Sequence, residues 1–455
     1  MYRAIWRLHF YAGIFCIPFI LWMCVTGTIY LFKPQIDALF DRPYAHLLPE
    51  GGTRALPSAE AKAALAAVPG GALNAYQLPA NPRAAAQVLV SQGSRLIRVY
   101  VDPRTARVLK AIPDENQFES RVSSLHGELL LGNIGSNIIE LAASWAIVMI
   151  CTGLYLWYPR DGSGFMAMLW PRHARGRALA RELHGVAGTW VSLIALFFLI
   201  SGLPWTASWG GLLKTAQNTF AHRVVHHDWT TGSTSALAKR TSEDAADASM
   251  LGMAGMPGMA GMPGMAGDAN ASGGRASLDT LDTLVSPVAD LHLPYPVLVV
   301  PPDAHKPAWT ARSDTQDRPL RVTLTLDPTT GMVLARKGFA ASSLIDKIVA
   351  VGVATHEGQL FAPINQALSL LAVTLLFTLA SSALIMWWSR RPSGVLGAPR
   401  ALEPPRFPVG LILATCALAV LLPFFGLSLI VVIVVERLVL RRIPPVRDFL
   451  GLRFQ

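Results

Sequence analysis

Five long apolar stretches decide what this chain can fold into. Four run over 8–32, 138–158, 186–206 and 365–388, and a fifth covers 407–436 with Pro423 inside it. A helix rising about 1.5 Å per residue needs about 20 residues to cross roughly 30 Å of hydrocarbon. Lipid offers the backbone no hydrogen bonds, so each stretch is expected to be helical. The fifth is long for one crossing and short for two, which leaves one tilted helix or a tight hairpin. The first is followed by LFKPQID, with no small-residue cleavage site, so it is expected to stay as an anchor. With 52% hydrophobic and only 15% charged residues, the whole chain reads as a polytopic membrane protein.

The net charge of +10 is informative by its location. Segment 159–183 holds Arg160, Arg172, Arg175, Arg177 and Arg181, and segment 389–406 holds Arg390, Arg391, Arg400 and Arg406. Arg3 and Arg7 precede the first span. The positive-inside rule puts all three on the cytoplasmic side, and the long segments 33–137 and 207–364 outside. The basic tail 441–455 then favours a cytoplasmic end and the hairpin. Charges that hug membrane ends give no reason to expect a nucleic-acid partner. Cys16, Cys24, Cys151 and Cys416 all lie in apolar spans and read as small core residues.

The chain also repeats itself. His9 is followed by Gly13 and by Thr26-Gly27; His184 is followed by Gly188 and by Ser201-Gly202, at identical spacing. His126 precedes Trp157 by 31 residues, and His356 precedes Trp387 by 31. In the exterior segments RVYVDPRTARVLKA (98–111) parallels VTLTLDPTTGMVLAR (322–336), each a strand, an Asp-Pro turn and a second strand. The expected fold is therefore span–domain–span, twice in the same orientation, with a C-terminal apolar helix or hairpin over 407–440. Cytoplasmic loops are expected over 159–185 and 389–406.

Four spacing-matched histidines ask for a function. A histidine at a span is costly and usually functional; an interfacial cap is the plainer explanation for any single one. His9 and His184 open outward-running helices, so both belong near the cytoplasmic face. His126 and His356 precede inward-running helices, so both belong near the exterior face. Facing imidazoles across a bundle make a bis-histidine haem site, and two sites at two depths make an electron path. Gly13 and Gly188, one turn from their histidines, would let a flat macrocycle approach the backbone; close helix packing explains them equally well. Zinc is disfavoured, because Glu128, Glu140 and Glu357 do not align into a recurring third ligand.

Segment 248–268 differs from everything around it. Met250, Met253, Met256, Met259, Met262 and Met265 recur every third position among Gly and Pro, a composition that cannot pack a core. Thioethers favour Cu(I), so these methionines could hold cuprous ions, or form an incidental low-complexity linker. Nearby, HRVVHHDWT (222–230) offers His222, His226 and His227 as a metal-relay site or as a solvated loop.

The segments LHGELLLGNIGSNIIELAASWAIVMICTGLYLWYPR and RELHGVAGTWVSLIALFFLISGLPWT resemble the PepSY-associated transmembrane family, which includes iron-regulated membrane proteins and ferric-siderophore reductases of the bacterial inner membrane. The resemblance covers nearly all of the chain except the Met-rich insertion. It implies two periplasmic α+β domains of PepSY type, over 33–137 and 207–364. It implies b-type haems, here two, on His9, His126, His184 and His356, and electron delivery to a periplasmic ferric-siderophore or other metal complex. The cytoplasmic loops hold no Gly-rich dinucleotide motif, so a membrane quinol or a redox partner protein is the expected donor. Two other classes compete: a non-redox metal-binding or uptake accessory, copper-linked through the methionines, and a sensor or peptidase-inhibiting anchor. The first reading needs all four histidines; the others need none in the spans.

Overall fold

The computed structural model describes residues 1–160, 164–171, 175–221, 277–303, 307–399 and 408–452. The Met-rich run and His222, His226 and His227 lie outside the described residues. In chain order the described elements begin with α1 (Tyr2–Leu31), α2 (Lys33–Asp41), α3 (Pro57–Ala67) and strands β1 (Ala72–Gln77), β2 (Ala86–Gln92), β3 (Arg95–Val101) and β4 (Val108–Pro113). Helices α4 (Phe118–Glu128), α5 (Asn133–Trp157), α6 (Gly176–Gly202), α7 (Ala207–Ala221) and α8 (Thr280–Asp290) follow. Strands β5 (Val297–Val300), β6 (Thr310–Ser313), β7 (Val322–Leu326) and β8 (Val333–Gly338) come next. The chain closes with α9 (Leu344–His356), α10 (Ile364–Arg390), α11 (Val409–Leu421), α12 (Pro423–Leu438) and α13 (Pro444–Leu450). Two compact units result, and they interleave in sequence.

The helical unit comprises Met1–Leu31, Val122–Val225 and Ala362–Gln455. Five of its helical segments are long and apolar enough to cross a membrane: Tyr2–Leu31, Asn133–Trp157, Ala178–Trp205, Ile364–Arg390 and Pro423–Arg442. The protein is a multi-pass membrane protein, and every apolar stretch of the sequence falls in one of these segments or in the shorter α11. Ala12 and Cys16 of α1, Trp145 and Val148 of α5, and Leu422 and Phe425 at the α11–α12 break share one buried cluster. The C-terminal stretch reverses at Leu422. A Cβ added to Gly426 would lie 3.0 Å from Ala419 Cβ, although seven residues of straight helix span about 10 Å. The chain end returns to the start of α1, where Tyr11 Oη donates to Leu450 O (2.5 Å) and Arg7 Nη1 to Gly451 O (3.1 Å). The tight hairpin, rather than the single tilted helix, is the observed form.

The second unit comprises Phe32–Arg121 and His226–Phe361. The two long segments between spans, which the sequence presents as separate domains, contribute four strands each to one sheet, in the order β4-β3-β2-β1-β5-β6-β7-β8. The join is the antiparallel pair β1–β5, with Tyr76 opposite Val299 and Gln77 opposite Leu298. Period-2 alternation sends Tyr76, Val88, Val90, Val99, Val299 and Leu324 to one face, where Ala61 and Ala64 of α3 and Leu281 and Leu284 of α8 close the core. The matched Asp-Pro turns fold alike. Asp102 Oδ1 accepts from the Arg104 and Thr105 N–H groups, and Asp327 Oδ1 from those of Thr329 and Thr330.

Under α3, Glu60 is fully buried; Tyr76 donates to it at 2.5 Å and Arg54 pairs with it at 3.0 Å. Burial pushes its carboxyl up from 4.5 to about 7. A folded pKa above the unfolded value stabilises the fold through the protonated form. That contribution is full below pH 4.5 and is lost as pH rises to about 7, on the order of 3 kcal/mol in all. Glu60→Gln is expected to flatten the fall of the melting temperature across that window; an unchanged slope would dismiss this cause.

Candidate functional site

His9 and His184 meet inside the helical unit, as their matched positions suggested. Their ring centroids are 6.4 Å apart and the planes stand at 82°. Each ring is held by the helix that carries a matched tryptophan. His9 Nδ1 lies 3.1 Å from Met149 O and 3.1 Å from Thr152 Oγ1 on α5. His184 Nδ1 lies 3.1 Å from Leu379 O and 3.4 Å from Ser382 Oγ on α10. Met149 and Thr152 precede Trp157 by the same intervals as Leu379 and Ser382 precede Trp387.

These contacts fix the chemistry of both rings. A backbone carbonyl can only accept, so each Nδ1 carries the proton and donates it. The hydroxyls of Thr152 and Ser382 spend their own protons on carbonyls of the same helices. Both imidazoles, when neutral, thus present Nε2 as a bare lone pair, the arrangement by which an outer hydrogen bond orients and strengthens a metal-ligating histidine.

Close approach here depends on glycines. A Cβ on Gly153 would lie 3.0 Å from His9 Cε1. Gly185, beside His184 in sequence, lies under the Trp157 indole, where a Cβ would come within 2.3 Å of Cδ2. Gly13 and Gly188 face the anchoring residues instead: a Cβ would meet Met149 Sδ at 3.9 Å and Leu379 Cδ1 at 3.3 Å.

His126 on α4 sits against the far end of α1. Its Nδ1 is 2.9 Å from Thr26 Oγ1, which donates its own proton to Trp22 O at 2.8 Å. The Thr26 oxygen therefore accepts from Nδ1–H, and His126 shares the tautomer of the other two. Gly27 opens the seat, since a Cβ there would lie 3.1 Å from His126 Cε1. Seventeen residues of α1 separate Thr26 from His9, roughly 26 Å of rise, so one helix carries the first histidine at one end and seats His126 near the other.

His356 is the last residue of α9 in the sheet unit. The next residue, Glu357, accepts from the buried Arg318 at 3.2 Å, tying α9 to the β6–β7 connection. Among the described residues no three or more His, Cys, Asp or Glu side chains gather into a metal-binding group. The donor set at the His9–His184 site is two imidazoles.

Sequence reasoning missed the seats. Met149 and Leu379 act through carbonyls, which leave no mark in a sequence. Thr152 and Ser382 did leave one, each standing five residues before its matched tryptophan. Glu140, a buried carboxyl in α5, has a structural partner: its Oε2 accepts from the Trp209 N–H at 3.1 Å. Ser136 Oγ accepts from the Ala207 N–H at 3.0 Å. Together they satisfy two of the free donors at the start of α7.

No curated protein matches the chain. A family model, described as the PepSY-associated TM region, matches residues 6–390. That match takes in the four histidines, α1 from its fifth residue, α2 through α10 and every described strand. The chain belongs to the PepSY-associated transmembrane family.

Proposed function

We propose that this protein is a bacterial inner-membrane haem protein. It carries electrons from a membrane quinol or redox partner to a periplasmic ferric-siderophore or another metal complex. The observation that carries this reading is the His9–His184 pair. Two metal–imidazole bonds of about 2 Å, with the ring radii added, place centroids roughly 6 Å apart, against 6.4 Å here. Both Nε2 atoms are left free by the anchored Nδ1 atoms. The residues thus fit one haem iron between His9 and His184. His126, with the same tautomer, would be a ligand of a second b-type haem, for which the sequence also offers His356.

Haem supplies a one-electron iron couple. The chain's own residues orient the imidazoles: Met149 and Leu379 fix the rings, and Trp157 packs over Gly185 beside His184. Because α1 carries His9 and seats His126 about 26 Å further on, the two sites stand at two depths. We read the chain as two span–domain–span halves whose inserted segments share one periplasmic sheet. The repeated anchoring pattern, the four-plus-four strand order and the arginine-rich connections support this.

The test is the visible spectrum of the detergent-purified protein, oxidised and dithionite-reduced, with a haem-to-protein ratio. Two b-type haems per chain are expected. A colourless protein expressed with ample haem would end this reading and leave a metal-binding accessory as the better account.

A further inference from the structure

Two helices of the sheet unit keep apolar faces uncovered. On α9, Leu344 is 73% exposed and Ile348 63%, with Ile345 and Val351 exposed beside them. Their positions, i, i+1, i+4 and i+7, form one stripe along the helix. Val353 and Ala354 on α9 are buried. On α2, Leu39 is 65% exposed and Phe40 is exposed next to it, and the Phe40 ring lies 5.4 Å from exposed Phe118. A charged stripe runs directly beside Phe40 on α2, where Lys33 bridges Asp37 (2.5 Å) and Glu119 (3.2 Å).

Isolated exposed leucines need no explanation, but contiguous apolar faces mark an interaction surface. Both helices adjoin membrane spans in sequence. Only Phe32 separates α1 from α2. Residues 357–363, including exposed Phe361, separate α9 from α10. A short helix that exposes apolar side chains at the mouth of a span matches a helix lying in the bilayer interface.

We propose that lipid covers both faces, so that α2 and α9 lie in the membrane interface. Since α9 ends in His356, this contact also sets the depth of that histidine. That consequence rests on the haem reading, whereas the lipid contact does not.

The test uses the full chain in phosphatidylcholine nanodiscs, with Cys16, Cys24, Cys151 and Cys416 replaced. A nitroxide is attached through Ile348→Cys, or through Thr330→Cys on an exposed turn as control. Collision with oxygen, which partitions into lipid, is compared with collision with a water-soluble nickel chelate. The oxygen-to-nickel ratio at 348 is expected to exceed that at 330 several-fold. Equal ratios at the two positions would mean that water covers α9, and would overturn the proposal. Low accessibility to both reagents would mean that protein, such as a second copy, covers the stripe, and would overturn it equally. Neither readout depends on haem content, so failure here is separable from failure of the haem reading.

Discussion

His9→Ala and His184→Ala are each expected to lower haem content from two per chain to one, leaving the His126-linked centre in place. The substitutions remove an imidazole and its bond to Met149 O or Leu379 O. The loss to folding is that of one modest hydrogen bond, about 1 kcal/mol, so the helices should still assemble. The loss to the cofactor is complete, because the described residues place no third imidazole, thiolate or carboxylate there to substitute. His126→Ala should remove the other haem and spare the first. The readouts are the pyridine-haemochrome ratio and the reduced-minus-oxidised bands, with a melting curve to show that the protein remains folded. Loss of both haems on any single substitution would sink the assignment of pairs by depth.

The approach of His9 to His184 was legible because the matched spacing puts both at equivalent positions of their helices. His9 and His184 each begin a span with the same glycine spacing, and the structure brings them to 6.4 Å. The spans were legible for the same reason that makes them stable: lipid demands long apolar runs and nothing subtler. The seats were not. A carbonyl from Met149 and one from Leu379 hold the rings, and every residue has a carbonyl. Nor was the joining of two insertions into one sheet, because Tyr76 and Val299 pair across more than two hundred residues and neither strand carries a mark of its partner. Each half already reads as a complete alternating meander, so local patterning suggests closure at β1 and β5, where the structure continues the ladder. The hairpin at Leu422 was half legible: Pro423 marked the break, and the close approach of Gly426 to Ala419 settled its direction. Among the described glycines, sequence spacing singled out Gly13, Gly188, Gly27 and Gly202, while close approach to a histidine ring belongs to Gly27, which the spacing named, and to Gly153, which it did not.

Gly153→Val is therefore expected to remove the same haem as His9→Ala while leaving His9 in the chain. The added Cβ would stand 3.0 Å from His9 Cε1 and 3.6 Å from Nδ1, and the valine methyls have still less room. The ring cannot retreat cheaply. Its Nδ1 is bonded to Met149 O, one turn away on the same helix, and to Thr152 Oγ1, on the adjacent residue, so moving off the valine means giving up both contacts. Overpacking of this kind costs about 1–3 kcal/mol in folding, which should lower the melting temperature without preventing assembly. Gly13→Ala makes the contrast. Its Cβ would meet only the flexible Met149 thioether at 3.9 Å, an ordinary contact, and full haem content is expected. If Gly13→Ala loses haem and Gly153→Val keeps it, the macrocycle must lie along the α1 face at Gly13, and the seat assigned to His9 on α5 would be wrong.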